Sequence, residues 1–165
     1  MRGDTEMAKV EKFEDLICWQ KARELVNLVY SISGNNALSR DYGLRDQLRR
    51  AAVSSMTNVA EGFARFHPGD FIRFLDIAQS SAVEVKSLMY VVLDQGYLIS
   101  EKVIEIQNNA EETTKTIKGL IRFLYSKTQK SVNKIAEQEV IYNIMNDSLG
   151  NDLLLDLPEE FTIVL

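Results

Sequence analysis

Cysteine, histidine, proline and glycine are all scarce in this chain of 165 residues. The only cysteine is Cys18, and because one thiol cannot close an intramolecular disulfide, nothing indicates an oxidising compartment. A cysteine nucleophile needs a base such as histidine, and His67 is the only histidine in the chain. We expect Cys18 to be a buried structural thiol and His67, just before Pro68, to be a helix-entry residue.

The scarcity of proline and glycine argues against a sheet protein, which needs many turns. The chain has two prolines, eight glycines and 45% hydrophobic residues, a composition that favours helices. A chain of this length can bury roughly 70% of its unfolded surface, so one domain can form a full core without a metal or a disulfide. We expect no cofactor and no bound metal.

Long hydrophobic runs are also missing. The first 16 residues, MRGDTEMAKVEKFEDL, carry charges throughout and contain no apolar core of the kind a signal peptide needs. No run approaches the ~18 apolar residues of a membrane-spanning helix. The expectation is therefore a cytoplasmic protein without a membrane role.

Charge is unevenly distributed along the chain. Residues 1 to 130 hold 18 Lys and Arg against 17 Asp and Glu, whereas the remaining 35 residues hold 1 against 7. Between Arg40 and Arg73 the basic residues are all arginine, six in number, with four acids. Arginine favours planar, forked hydrogen bonding to phosphates and carboxylates.

Apolar residues recur at steps of three and four in four segments, which predicts four helices. The predicted core positions are Cys18, Ala22, Leu25, Val29 and Ile32 in the first; Leu44, Leu48, Ala51, Ala52, Ser55, Val59, Phe63 and Phe66 in the second; Phe71, Phe74, Ala78, Ala82, Val85, Met89 and Val92 in the third; and Val103, Ile106, Ala110, Thr113, Ile117, Leu120 and Leu124 in the fourth. The first starts near Asp15, a candidate cap, and the second runs from about Leu44 to Phe66. The third runs from Pro68 to about Gln95, where Gly96 suits the left-handed end position, and the fourth starts at Ser100. The predicted fold class is all-α, an antiparallel up-down-up-down four-helix bundle. Its predicted parts are a flexible leader (1–14), the bundle (15–127) and an acidic extension (128–165), partly helical or mobile.

The second predicted helix has more than one distinctive side. One broad face is apolar and is expected to enter the core, and a polar stripe follows on another side, where Glu61 and Arg65 are four residues apart and can pair. A third strip consists of small residues, which would let another helix approach closely. A plain alternative is that its alanines are only good helix formers on a solvated side. The predicted oligomer interface consists of Val53, Thr57, Asn58, Ala60, Glu61 and Ala64.

Five sequence blocks carry a family resemblance: WQKA (19–22), YGLRDQLRRAAVS (42–54), NVAEGFAR (58–65), DFIRFLDIAQSSAVE (70–84) and GYL (96–98). Together they resemble the four-helix-bundle proteins first noticed as products of intervening sequences in bacterial large-subunit rRNA genes. The similarity covers roughly residues 13 to 127. The positions that match the family motif are Arg49, Arg50, Asn58, Glu61 and Arg65.

This resemblance implies a ring-like homopentamer without a known catalytic activity. Related bundles are accessory proteins of diversity-generating reverse transcriptases, so the resemblance also implies RNA, or a reverse-transcriptase-like protein, as a partner.

Three functions remain to be compared. Catalysis is not expected, since no phosphate loop, metal-ligand spacing or nucleophile elbow occurs. Binding of RNA, or of an enzyme that acts on nucleic acid, is favoured by the all-arginine segment. The alternative is a protein-protein adaptor that displays its acidic C-terminal tail to a partner protein. The predicted nucleic-acid-binding residues are Arg45, Arg49, Arg50, Arg65 and Arg73.

Overall fold

The structure is a computed structural model, and it describes residues 10–34, 37–65 and 67–148, with side chains as far as Tyr142 in the last helix. A short 3-10 helix at Phe13–Asp15 precedes α1 (Ile17–Ile32), and another at Leu38–Arg40 precedes α2 (Tyr42–Phe63). They are followed by α3 (Pro68–Asp94) and α4 (Ser100–Ser148). No strand occurs in these described ranges, so the predicted all-α class is confirmed.

The chain divides into two units, the first reaching Tyr125 and the second starting at Ser126. Two buried clusters show how the helices run in the first unit. One cluster joins the end of α1 to the start of α2, the end of α3 and the start of α4. The other joins the opposite ends of the same helices, with Cys18, Val59, Ile72 and Ile117 among its members. Consecutive helices are therefore antiparallel, as the predicted up-down-up-down bundle requires.

The core positions of α1, α2 and α4 follow the predicted spacing. In α1 the five residues of the predicted seam are all buried, because every step of three or four returns to the same side of the helix. On α4 the buried positions continue as far as Ile121, and Leu120 and Leu124 are half-buried. The confirmed core residues are Cys18, Ala22, Leu25, Val29, Ile32, Leu44, Leu48, Ala51, Ala52, Ser55, Val59, Val103, Ile106, Ala110, Thr113 and Ile117.

The helix ends differ in part from the prediction. α2 begins at Tyr42 rather than Leu44 because the Asp41 carboxylate accepts a hydrogen bond from the Leu44 amide at 3.0 Å. The predicted cap at Asp15 is wrong, since that residue lies in the 3-10 helix and Leu16 precedes α1. The left-handed conformation of Gly96 is confirmed, with φ of 67°.

The start of α3 also differs from the prediction. Phe71 and Phe74 are only half-buried there, and the neighbouring Ile72 and Leu75 fill the core instead. α2 ends at Phe63, which was predicted to be in the core and is half-buried, and the predicted terminal residue Phe66 lies outside the described residues.

The second unit is helical as far as Ser148. Its described apolar side chains are exposed, including Val132, Ile135 and Tyr142. Residues 1–9 of the predicted leader and 149–165 of the predicted extension lie outside the described residues. None of the described helices is long and apolar enough to cross a membrane.

Candidate nucleic-acid interface

A concentration of positive charge without ion pairs lies on a groove between α1 and α2. The guanidinium carbon of Arg49 lies 5.0 Å from the centroid of the Tyr30 ring, which is 50% exposed. This distance is within the range of a cation–π interaction. Arg50, the next residue of α2, is exposed at the same groove. The groove is lined by Tyr30, Arg49, Arg50, Val53, Ser54 and Thr57.

A second arginine–aromatic pair lies on the same side of α1. Trp19, Arg23 and Tyr30 are separated by four and seven residues, so helical geometry aligns them on one side. The Arg23 guanidinium carbon lies 5.8 Å from the centroid of the Trp19 ring, whose other neighbour is Phe13 at 5.1 Å. We define the arginine–tyrosine face as Arg23, Tyr30, Arg49 and Arg50.

The three arginines of this face keep their charge uncompensated. The ion pairs found in the described part of the chain involve other cations, so no carboxylate neutralises Arg23, Arg49 or Arg50. The Nε atom of Arg49 is buried and has no hydrogen-bond partner among the described residues. Leaving such a buried donor without an acceptor costs free energy. The face can therefore accept an anionic ligand without first breaking an ion pair.

Arg45 has a different environment from its predicted partners in nucleic-acid binding. Its Nη1 donates to the Ser39 carbonyl oxygen at 3.0 Å, and its Nη2 lies 3.2 Å from the Asp46 carboxylate. The same guanidinium lies over the Tyr42 ring at 5.0 Å. Its charge is compensated inside the chain, so Arg45 contributes less to an anion site than Arg49 does.

Arg65 and Arg73 lie on another groove, between α2 and α3. Arg65 is directed to Phe74, 4.7 Å from the ring centroid, and does not form the predicted surface pair with Glu61. The groove that contains both arginines also contains the carboxylate of Asp70. The five arginines predicted to bind nucleic acid are thus divided among three environments, and only Arg49 and Arg50 adjoin each other.

The predicted oligomer interface is only partly free. Val53, Thr57 and Ala60 are half-buried, while Ala64 and Glu61 are exposed. The Asn58 amide is used within its own helix, where Nδ2 donates to the Ser54 carbonyl oxygen at 2.8 Å and lies 3.1 Å from the Ser54 hydroxyl.

Two polar side chains of α2 form hydrogen bonds with α3. The hydroxyls of Ser54 and Ser81 are hydrogen-bonded at 2.9 Å. Nearer the start of α2, the Gln47 amide donates to the Glu84 carboxylate at 3.0 Å. The exposed small surface that remains available to another copy is centred on Ala64 and the adjacent half-buried Ala60.

The single cysteine of the chain is not activated as a nucleophile. Cys18 is buried, as predicted, and burial raises the pKa of its thiol to about 11, so the nucleophilic thiolate is rare at neutral pH. The described residues contain no cluster of His, Cys, Asp and Glu that could hold a metal ion.

The sequence alone did not point to Tyr30, Trp19 or Arg23. Their spacing of four and seven residues places them on one side of α1. Only the contact between Tyr30 and Arg49 shows that this side adjoins α2.

The fold and the surface define the class of protein, which is an all-helical antiparallel bundle with an arginine-rich second helix. The family model of the 23S rRNA-intervening sequence protein matches residues 14–119, and the chain belongs to this family. A crystal structure of a protein with unknown function from the S23 ribosomal protein family of Bacteroides thetaiotaomicron VPI-5482 has the same fold. It is 22% identical, with a TM-score of 0.59, and the match covers 64% of this chain and 98% of that chain. No curated protein matches this chain.

Proposed function

We propose that this protein is a non-catalytic, homo-oligomeric accessory module that binds RNA through the arginine–tyrosine face. The observation that carries the proposal is the unpaired state of Arg49 and Arg50 beside the exposed Tyr30 ring, with the unpaired Arg23 two turns earlier on the same side of α1. Guanidinium groups bind phosphates through forked hydrogen bonds, and exposed rings stack on bases. RNA offers both kinds of group.

Self-association strengthens this function because one copy offers few charges. Binding to phosphates depends on the number of contacts made at the same time, so several copies on one RNA multiply a modest local charge. The exposed Ala64 and half-buried Ala60 lie 11 or more residues beyond Arg49, about 16 Å along the helix axis. A second copy can pack there and leave the Tyr30 and Arg49 end of the groove open, while the predicted interface residues Val53 and Thr57 line the other end of the same groove. The oligomer we propose is the homopentamer that the family resemblance implies, with a reverse-transcriptase-like protein as a further partner of the RNA-bound form.

The proposal is tested by RNA binding across a salt series. The probe is a transcript with both paired and unpaired segments, and binding is measured by fluorescence anisotropy from about 50 mM salt upward. We expect the logarithm of the association constant to fall linearly with the logarithm of the salt concentration, because bound arginines release counterions. Binding that is undetectable at about 50 mM salt, or that ignores salt, contradicts the proposal.

A pair of charge-reversal variants locates the site. Arg49→Glu combined with Arg50→Glu should weaken binding by about a hundredfold or more, since two attractive contacts become repulsive. The matched control is Lys118→Glu combined with Arg122→Glu, two exposed residues of α4 whose reversal changes the net charge equally. The control should bind almost normally. Equal losses in both variants would show that only net charge matters.

The acidic C-terminal part of the chain favours a second candidate function, a protein-protein adaptor. Beyond residue 130 the chain carries one basic and seven acidic residues, a pattern suited to a basic protein surface. Removing residues 150–165 should abolish capture of such a partner and leave the oligomer size unchanged. Capture by the shortened chain would exclude the adaptor function, and the Arg49 and Arg50 reversals should not affect it.

A further inference from the structure

We infer that the arginine–tyrosine face binds unpaired RNA, with a base stacked at Tyr30, in preference to duplex RNA. The inference rests on the proposed RNA-binding function and adds the class of RNA that the face selects. It depends on the way Tyr30 and Arg49 are arranged across the boundary between α1 and α2.

Tyr30 and Arg49 form a cation–π pair. The guanidinium covers part of the ring at 5.0 Å, yet half of the tyrosine surface is still exposed at the groove. Nucleic-acid bases stack on aromatic rings and on guanidinium planes when they are free to leave a helix. In a duplex both faces of each base are covered by the neighbouring bases, so no base is free to stack on the Tyr30 ring.

The distribution of charge supports the same choice. Duplex RNA is recognised mainly by shape and by contacts to phosphates and 2′-hydroxyls over a long surface. This face offers three uncompensated arginines, two of which are adjacent on one helix. A few charges of this kind suit one flexible strand, whose phosphates can turn toward Arg50 while a base lies against Tyr30.

A second tyrosine–arginine pair in the same protein provides a matched comparison. Arg45 lies over the Tyr42 ring at 5.0 Å, the same distance, and Tyr42 is even more exposed than Tyr30. That guanidinium, however, is already paired with Asp46 and bonded to the Ser39 carbonyl oxygen. An approaching phosphate would meet the Asp46 carboxylate, so the Tyr42 pair should not bind RNA.

The experiment compares two RNA probes on the full chain. One is an oligouridylate of about 20 nucleotides, and the other is an adenine–uracil duplex of the same strand length. Affinities are measured at one salt concentration for the wild type, Tyr30→Leu, Tyr30→Phe and Tyr42→Leu. Circular dichroism checks that each variant keeps its helical content. The quantity of interest is the ratio of single-strand to duplex affinity.

We expect the wild type to favour the single strand by about tenfold, within the range that stacking of one base provides. Tyr30→Leu should remove most of this preference, while Tyr30→Phe and Tyr42→Leu should keep it. Salt-dependent binding without a strand preference, or a preference that survives in Tyr30→Leu, overturns the inference and leaves the proposed function standing. Absence of binding to both probes overturns the inference and the proposed function together.

Discussion

Gly62 of α2 lies directly against Phe71 of α3, so closely that a Cβ on Gly62 would be 2.7 Å from the Phe71 Cδ2 atom. The same Cβ would be 2.8 Å from the Cβ of Phe74. Gly62 is buried, and the next residue, Phe63, meets the Phe71 ring edge-to-face at 6.2 Å. The absence of a side chain at Gly62 therefore sets how closely the end of α2 approaches the start of α3.

Gly62→Ala should lower the free energy of unfolding by about 1 to 3 kcal/mol, because the added methyl group overpacks the contact between α2 and α3. Urea denaturation measures this change. Gly119→Ala is the matched control, since nothing lies near a Cβ at this position of α4, and alanine favours a helix by up to about 1 kcal/mol. A stabilising effect at Gly62 would contradict the close packing.

Glu111 connects α3 to α4, and its protonation should affect stability at low pH. Its carboxylate lies 2.8 Å from Lys115 Nζ and 3.0 Å from Lys86 Nζ, and these two ammonium groups lower its pKa to about 2. A lowered pKa contributes stability above the unfolded pKa, near 4.5, and that stability is lost as the pH falls from about 4.5 to 2. The unfolding midpoint of Glu111→Gln should therefore depend less on pH in this range than that of the wild type.

The matched control for this titration is Glu137→Gln, an exposed residue of the second unit. Its pH profile should follow that of the wild type. An unchanged profile for Glu111→Gln would show that the contacts with Lys86 and Lys115 do not favour the ionised carboxylate.

Self-association is expected to depend on the small surface at Ala64. The wild type should sediment at about five times its chain mass of 18.8 kDa, whereas Ala60→Glu combined with Ala64→Glu should sediment as a single chain at micromolar concentration. Two carboxylates would hold the packed helices apart and would lose hydration if buried. Ser80→Glu, at an exposed position of α3, should leave the oligomer intact. A wild type that sediments as one chain would refute the oligomer.

Much of the fold was predictable because each helix repeats its core positions at a regular step. Cys18, Leu25 and Ile32 are buried as that step requires, and Gly96 adopts the left-handed conformation that ends α3. The predicted core positions are wrong at the start of α3, where Ile72 lies in the core instead of Phe71. Phe71 packs instead against Gly62, which leaves room for the ring because it has no side chain. Since Gly62 belongs to α2, the local pattern of α3 does not reveal this contact.

The candidate site was less predictable, because a helical wheel orders the sides of one helix without naming their neighbours. Arg45, Arg49 and Arg65 are equivalent in the sequence as arginines of one segment. Their environments differ since Asp46 neutralises the first, Tyr30 of α1 contacts the second and Phe74 of α3 contacts the third. The packing of α2 between α1 and α3 distinguishes Arg49 from Arg65, whereas Arg45 differs because of Asp46, its neighbour in the sequence.

Ultraviolet crosslinking to a uridine-containing RNA, followed by mass spectrometry, tests the location of the RNA site most directly. Tyr30 lies in the tryptic peptide 24–40, and the exposed Tyr90 lies in the peptide 87–102, which gives an internal comparison. We expect crosslinked nucleotide on peptide 24–40, at Tyr30, with a strong loss in the Arg49→Glu and Arg50→Glu double variant. Crosslinks confined to other peptides, or unaffected by that double variant, would contradict this location of the RNA site.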